Sequence, residues 1–240
     1  MNSATRLHAT LRRFKNHPGN HTLRHSIATI FSIQDQKSPQ IFRSYVNIIN
    51  LAVDVEEQIR AIPDVNHDLF LRSVSNIQNH LSISNIDGDL GAFQKGLREE
   101  DFHGLEFIFD QLDKIEMEVE IPKKELEAFS GKIDDLMKEI RDSKLDPQFS
   151  HFLLSNLFTI QTSIKNYQFF GSNGLRNSLS KVIGDIMLDP RDGFKSEETK
   201  TLMKKTIDIL KDVNILMVFM RNGSEIVNSL KNLKIFQING

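Results

Sequence analysis

The chain has 240 residues, 39% of them hydrophobic and 26% charged, with a formal net charge of −2. These are globular proportions, with room for one large domain or two small ones. The absence of cysteine excludes disulfides, thiolate metal sites and cysteine nucleophiles, and makes the reducing cytoplasm the expected location.

In the first predicted helix Leu7, Leu11 and Phe14 recur at helical spacing, and Pro18 with Gly19 ends it. A second short helix places Ile27, Ile30 and Phe31 on one face. Between Met1 and Gln34 the cations Arg6, Arg12, Arg13, Lys15 and Arg24 occur without a single acid. Such a rim suits phosphate backbones, anionic lipid surfaces or an acidic partner. A helix that packs by its apolar stripe, its arginines paired with the acidic remainder, accounts for the same residues.

Ser38 and Pro39 form an N-cap and first-position pair opening a long helix, with Phe42, Tyr45, Val46, Ile49, Val53 and Ile59 on a broad stripe that Pro63 closes. Asn66 or Asp64 caps the next helix, carrying Leu69, Phe70, Val74, Ile77 and Leu81, before a turn-rich, exposed loop from Ser84 to Gly91. Steps of three and four return at Phe102, Leu105, Phe109 and Leu112, and again at Leu126, Phe129, Ile133, Leu136 and Ile140. Between those two runs Ile115, Met117, Val119 and Ile121 alternate with charged residues, which is strand period. With only Leu233 to Ile238 as a partner, this stretch reads as an extended connector.

Asp146 and Pro147 start a helix bearing Leu153, Leu157, Ile160, Ile164 and Tyr167; Gly171 and Gly174 break it before Leu175, Leu179, Val182 and Ile186 resume. After a turn from Asp189 to Gly193, Ser196, Glu197 and Glu198 open a helix whose end, Ile215 to Met220, is apolar on every side and so is either fully buried or paired with another chain. That run falls far short of the roughly 20 residues needed to span a bilayer. Gly223 and Ser224 precede a last helix or tail with Ile226, Val227, Leu230 and Leu233. With 17 Phe, no Trp and two Tyr, the core is built of Phe, Leu and Ile.

The residues with chemical potential do not assemble into a motif. His17, His21 and His25 are spaced by four, but Pro18 and Gly19 separate the first two, so only His21 and His25 share a helix turn, and metal binding is not expected. Asp87 to Asp89 and Asp189 to Asp192 lack the ligand spacing of a calcium loop and read as turns. The glycines at 88, 91 and 96, and at 171 and 174, follow no strand and precede no phosphate-binding lysine. Carboxylate pairs such as Glu99 with Glu100 and Glu116 with Glu118 lie on charged, wet faces.

One stretch, Ile121 to Gly184, resembles a helical segment of uncharacterised bacterial proteins. Pro122 starts a helix that ends in a serine-leucine turn, and a second helix begins at Pro147 with the pair Leu153 and Leu154. It reaches Tyr167 and a glycine-x-x-glycine-leucine turn formed by Gly171, Gly174 and Leu175. The resemblance implies a bacterial accessory protein of defence or mobile-element gene sets and carries no catalytic residue.

The expectation is an all-α, multi-helix bundle of about eight to ten helices, with one short extended segment near Met117–Ile121. An N-terminal helical part spans 1–120 and a C-terminal bundle 121–240. The expected function is a non-enzymatic protein–protein interaction or scaffold component of a bacterial multi-component system such as anti-phage defence, without cofactor or metal. Its partner is another protein or a second copy, met through Leu210, Val213, Leu216, Met217, Phe219 and Met220. The alternatives are a nucleic-acid binder using Arg6, Arg12, Arg13, Lys15 and Arg24, and an enzyme whose site is assembled from distant residues.

Overall fold

The computed structural model describes residues 2–63, 66–115, 120–188 and 196–222, the last five as backbone alone. Those residues form ten helices and no strand, an all-α fold whose chain divides into two compact units, Met1–Met117 and Glu118–Gly240. None of these helices is long and apolar enough to cross a membrane. Met117 and Val119 of the predicted extended segment lie outside the described residues, as do the predicted turn Asp189 to Gly193 and everything after Asn222.

The first unit contains α1 (Ser3–Lys15), α2 (Leu23–Ile30), α3 (Pro39–Arg60), α4 (His67–Ile83), α5 (Leu90–Gly96) and α6 (Glu99–Ile115). Helices α1, α3, α4 and α6 close a four-membered ring, each touching the next, while α2 and α5 cover the end where α1 stops and α3 begins. Leu7, Leu11 and Phe14 point into this ring and are wholly buried. Asn2 caps α1 by accepting the Thr5 amide at 2.9 Å, and its own amide group donates to the Phe109 carbonyl and the Asp113 carboxylate of α6 at 3.0 and 2.7 Å. The buried Tyr45 hydroxyl donates to the Leu81 carbonyl at 2.5 Å, joining α3 to α4.

Two features of this unit depart from expectation. The stretch Ser84 to Gly91 is not simply an exposed loop: Ile86 and Leu90 are buried, and the segment hydrogen-bonds the first turn of α2 through Leu23 N–H to Gly88 O at 3.0 Å and Arg24 N–H to Ile86 O at 2.7 Å. Its last residues lead into α5, which the sequence reading passed over because seven residues with glycine at both 91 and 96 carry too little periodicity. Asp89 caps this helix by accepting from the Ala92 amide at 2.8 Å.

The second unit is built from α7 (Lys123–Asp142), α8 (Pro147–Lys165), α9 (Tyr167–Met187) and α10 (Glu197–Asn222), again a ring of four. Asp146 accepts from the Gln148 and Phe149 amides at 3.0 and 3.2 Å to start α8. Gly171 alone breaks α9, at φ 59° and ψ −160°, a backbone conformation open essentially only to glycine. Gly174 stays helical, and its hydrogen side chain admits Phe170, whose Cβ lies 2.2 Å from where an alanine methyl would sit. Ile121 is buried in this core and its amide donates to the Tyr167 hydroxyl at 2.9 Å.

Two measurements check this packing. An alanine Cβ at Gly104 would lie 2.5 Å from Ser73 Cβ, so α4 and α6 approach through a position where no side chain fits. Gly104→Ala is expected to destabilise the first unit by about 1–3 kcal/mol in urea unfolding; an unchanged midpoint would contradict that contact.

The second concerns His8, whose Nε2 is 3.3 Å from Glu106 Oε1 but without hydrogen-bonding geometry. Burial first, and the Arg12 guanidinium next, hold its pKa below the ordinary 6.5, with Glu106 pulling the other way. The folded state therefore prefers the neutral ring, and this stabilisation is complete above the ordinary value and lost on acidification through the depressed one. The urea midpoint should fall more steeply from about pH 7 to about pH 5 in the wild type than in His8→Leu. Parallel slopes would exclude the histidine.

Candidate interaction surface

Ser38 accepts from the Gln40 amide at 3.2 Å and Pro39 occupies the first turn, so α3 begins cleanly and runs for 22 residues. Two heptad stripes are interleaved along it. Ile41, Tyr45, Ile48, Ala52, Val55 and Ile59 follow steps of four and three, and all are buried. One position further on, Phe42, Val46, Ile49 and Val53 follow the same steps, and this second stripe faces solvent. Phe42 is 51% exposed, Val46 49% and Val53 39%, with Ile49 half-buried.

The sequence reading merged these stripes into one. The available signal was width: an apolar arc broader than about 100° exceeds what a single packed face requires. Other large exposed apolar side chains, such as Leu69, Phe107 and Phe158, stand on separate helices, which is ordinary for a protein surface. Three exposed and one half-buried at heptad spacing on one helix are not. Along one flank of the stripe lie Arg43, Asn50 and Glu57, all exposed. Among the described residues neither Arg43 nor Glu57 has an ion-pair partner, whereas the Arg24 guanidinium covers the Phe42 ring at 4.8 Å.

The predicted cationic surface is tied into the fold. Arg6 is buried, and its charge acts on the half-buried Asp54 carboxylate, whose pKa burial and Glu57 nonetheless raise. Arg12 pairs with Glu99 at 2.6 Å and lies over the Phe102 ring at 3.9 Å. Arg13 donates to the Ile30 carbonyl. Lys15 donates to the Gln94 and Leu97 carbonyls at 2.9 and 2.7 Å. Gln94 returns the contact, its amide group donating to the Phe14, Lys15 and His17 carbonyls. Arg24 forms a two-pronged pair with Asp87 and donates to the Gln36 carbonyl at 3.2 Å.

The expected interface residues of α10 also face inward. Leu210, Val213 and Met217 are buried in the core of the second unit and Leu216 packs against it, while the side chains of Phe219 and Met220 lie outside the described residues.

His17, His21 and His25 form a row with ring centroids 6.4 and 4.4 Å apart, although His21 precedes the first turn of α2. His25 Nδ1 meets the Gln36 amide nitrogen at 2.8 Å, and among the described residues no group of three acids or histidines is arranged to hold a metal. A cleft of about 450 Å³ between α8 and α9 is lined by Phe158, Thr159, Thr162, Ser163, Phe170, Gly174 and Ser178. Those walls offer hydroxyls and aromatic faces but no acid, histidine or lysine for proton transfer.

No protein-family model, no curated protein and no solved structure matches this chain.

Since Arg12 is both paired and stacked, Arg12→Glu faces Glu99 with a like charge and removes the cation from the ring. It should lower stability by about 1–2 kcal/mol in chemical denaturation. A variant as stable as the wild type would show that these contacts contribute nothing.

Proposed function

We propose that this chain is a non-enzymatic interaction component, and that it meets its partner through the outward stripe of α3. The observation that carries this reading is the heptad spacing of Phe42, Val46, Ile49 and Val53 on a face that stays largely open to solvent, with only the Arg24 guanidinium over Phe42 and Ile49 half-buried. Apolar side chains in that arrangement form one half of a helix-in-groove or helix-to-helix contact, and covering them removes their surface from water. The five N-terminal cations support it indirectly, because the engagement of four with internal carbonyls, carboxylates and aromatic rings and the burial of Arg6 leave an apolar surface rather than a basic one as the recognition feature. A setting in a bacterial multi-component system such as anti-phage defence follows from the resemblance of Ile121 to Gly184 alone.

The test is affinity purification of the intact chain alongside Val46→Asp, with thermal melts establishing that both are folded. Recovery of a stoichiometric partner, of whatever kind, should drop at least about ten-fold in the variant, since a charge placed at the centre of an apolar contact must be desolvated. Equal recovery by both proteins would refute the reading.

A further inference from the structure

The geometry of α3 points to a specific occupant: we propose that its outward stripe pairs with the same stripe of a second copy, the two helices antiparallel about a two-fold axis. This deepens the interaction reading and rests on it.

The first argument is register. Antiparallel helices place the two kinds of heptad position opposite one another, so Phe42 faces Val53 of the second copy and Val46 faces its Ile49. A two-fold axis between residues 47 and 48 generates each of these contacts twice, which is the self-complementarity that a closed dimer demands. Each layer sets a larger side chain against a smaller one, Phe against Val and Ile against Val, so the ridge of one copy fills the notch of the other.

Charge supplies the second argument. Arg43 and Glu57 stand on the same flank of the stripe, 14 residues or roughly 21 Å apart along the helix, and neither has an ion-pair partner among the described residues. Antiparallel pairing brings Arg43 of each copy to the Glu57 end of the other, at both ends of the contact. A parallel pair would gather the two arginines at one end and the two glutamates at the other. The polar Asn50 lies between them on that flank, at the rim. The opposite flank is Tyr45, Ala52 and Ile59, already buried in the chain's own core, so a second helix meets a wall of packed side chains there.

The contact covers about three helical turns, which sets it at the small end of specific interfaces and makes the dimer reversible, with Kd on the order of 10 µM. Sedimentation equilibrium of the full chain over a micromolar to near-millimolar range should give a concentration-dependent monomer–dimer equilibrium. Val46→Asp should weaken it at least about ten-fold while the thermal melt stays unchanged. Arg43→Glu or Glu57→Arg alone should weaken it about five-fold, and the double exchange Arg43→Glu with Glu57→Arg should restore it.

Because the chain has no cysteine, register is readable by trapping: an oxidised mixture of Val46→Cys and Ile49→Cys chains should yield the mixed disulfide in preference to either like pair. A monomer throughout that concentration range overturns the proposal, and so does a dimer indifferent to Val46→Asp or one whose charge exchange fails to rescue. A monomeric wild type that captures a different protein, and loses it on Val46→Asp, overturns the second copy as occupant but leaves the interaction reading standing. A wild type that neither dimerises nor captures another protein ends that reading too.

Discussion

The arrangement of the first unit depends on one constraint: the inner stripe of α3 must be covered by α1 and α4 together. Ile41, Ile48, Leu51, Ala52, Val55 and Ile59 are almost completely removed from water by those neighbours. That burial fixes the rotation of the helix about its own axis. Once the rotation is set, residues one position further along have no freedom to turn inward, because successive helical side chains diverge by about 100°. The outward apolar stripe is thus a consequence of the inward one. A helix carrying two offset heptads can satisfy only one of them within a single four-helix ring.

The basic N-terminus shows how charge counts mislead when their partners are unseen. Five cations without an acid in 34 residues suggest a surface that seeks anions, yet four of them donate to named carbonyls or carboxylates on other elements. The acids that answer them, Asp87 and Glu99, lie more than 60 residues away in sequence. Three of the guanidiniums, Arg12, Arg13 and Arg24, also lie over phenylalanine rings, which suits a weakly hydrated planar cation better than it would suit lysine.

Much of the fold was legible because its signals are local. Period, caps and breakers gave the long helices: Ser38–Pro39, Asp146–Pro147 and Asn66 cap where expected, and the glycine at 171 does interrupt the chain. Signals that depend on distant residues were not legible. Helix α5 is too short to show a period, and its existence rests on contacts with α1 and α2. Leu210, Val213 and Met217 of α10 read equally well as core or as interface, because sequence cannot distinguish a side chain buried in its own core from one awaiting another chain. The division of α3 into two faces was present as excess width, but only the positions of α1 and α4 say which edge of that width is covered.

A helix end is ordinarily the first part of a bundle to open, since its last carbonyls have no partners within the helix. In α1 those carbonyls are held by Gln94, while the ammonium of Lys15 is held in return by the carbonyls of Gln94 and Leu97. Fraying of the final turn therefore requires α5 to detach in the same event. Backbone amides in these two segments should exchange with deuterium as one cooperative block, giving the short helix a protection that its seven residues could never sustain in isolation.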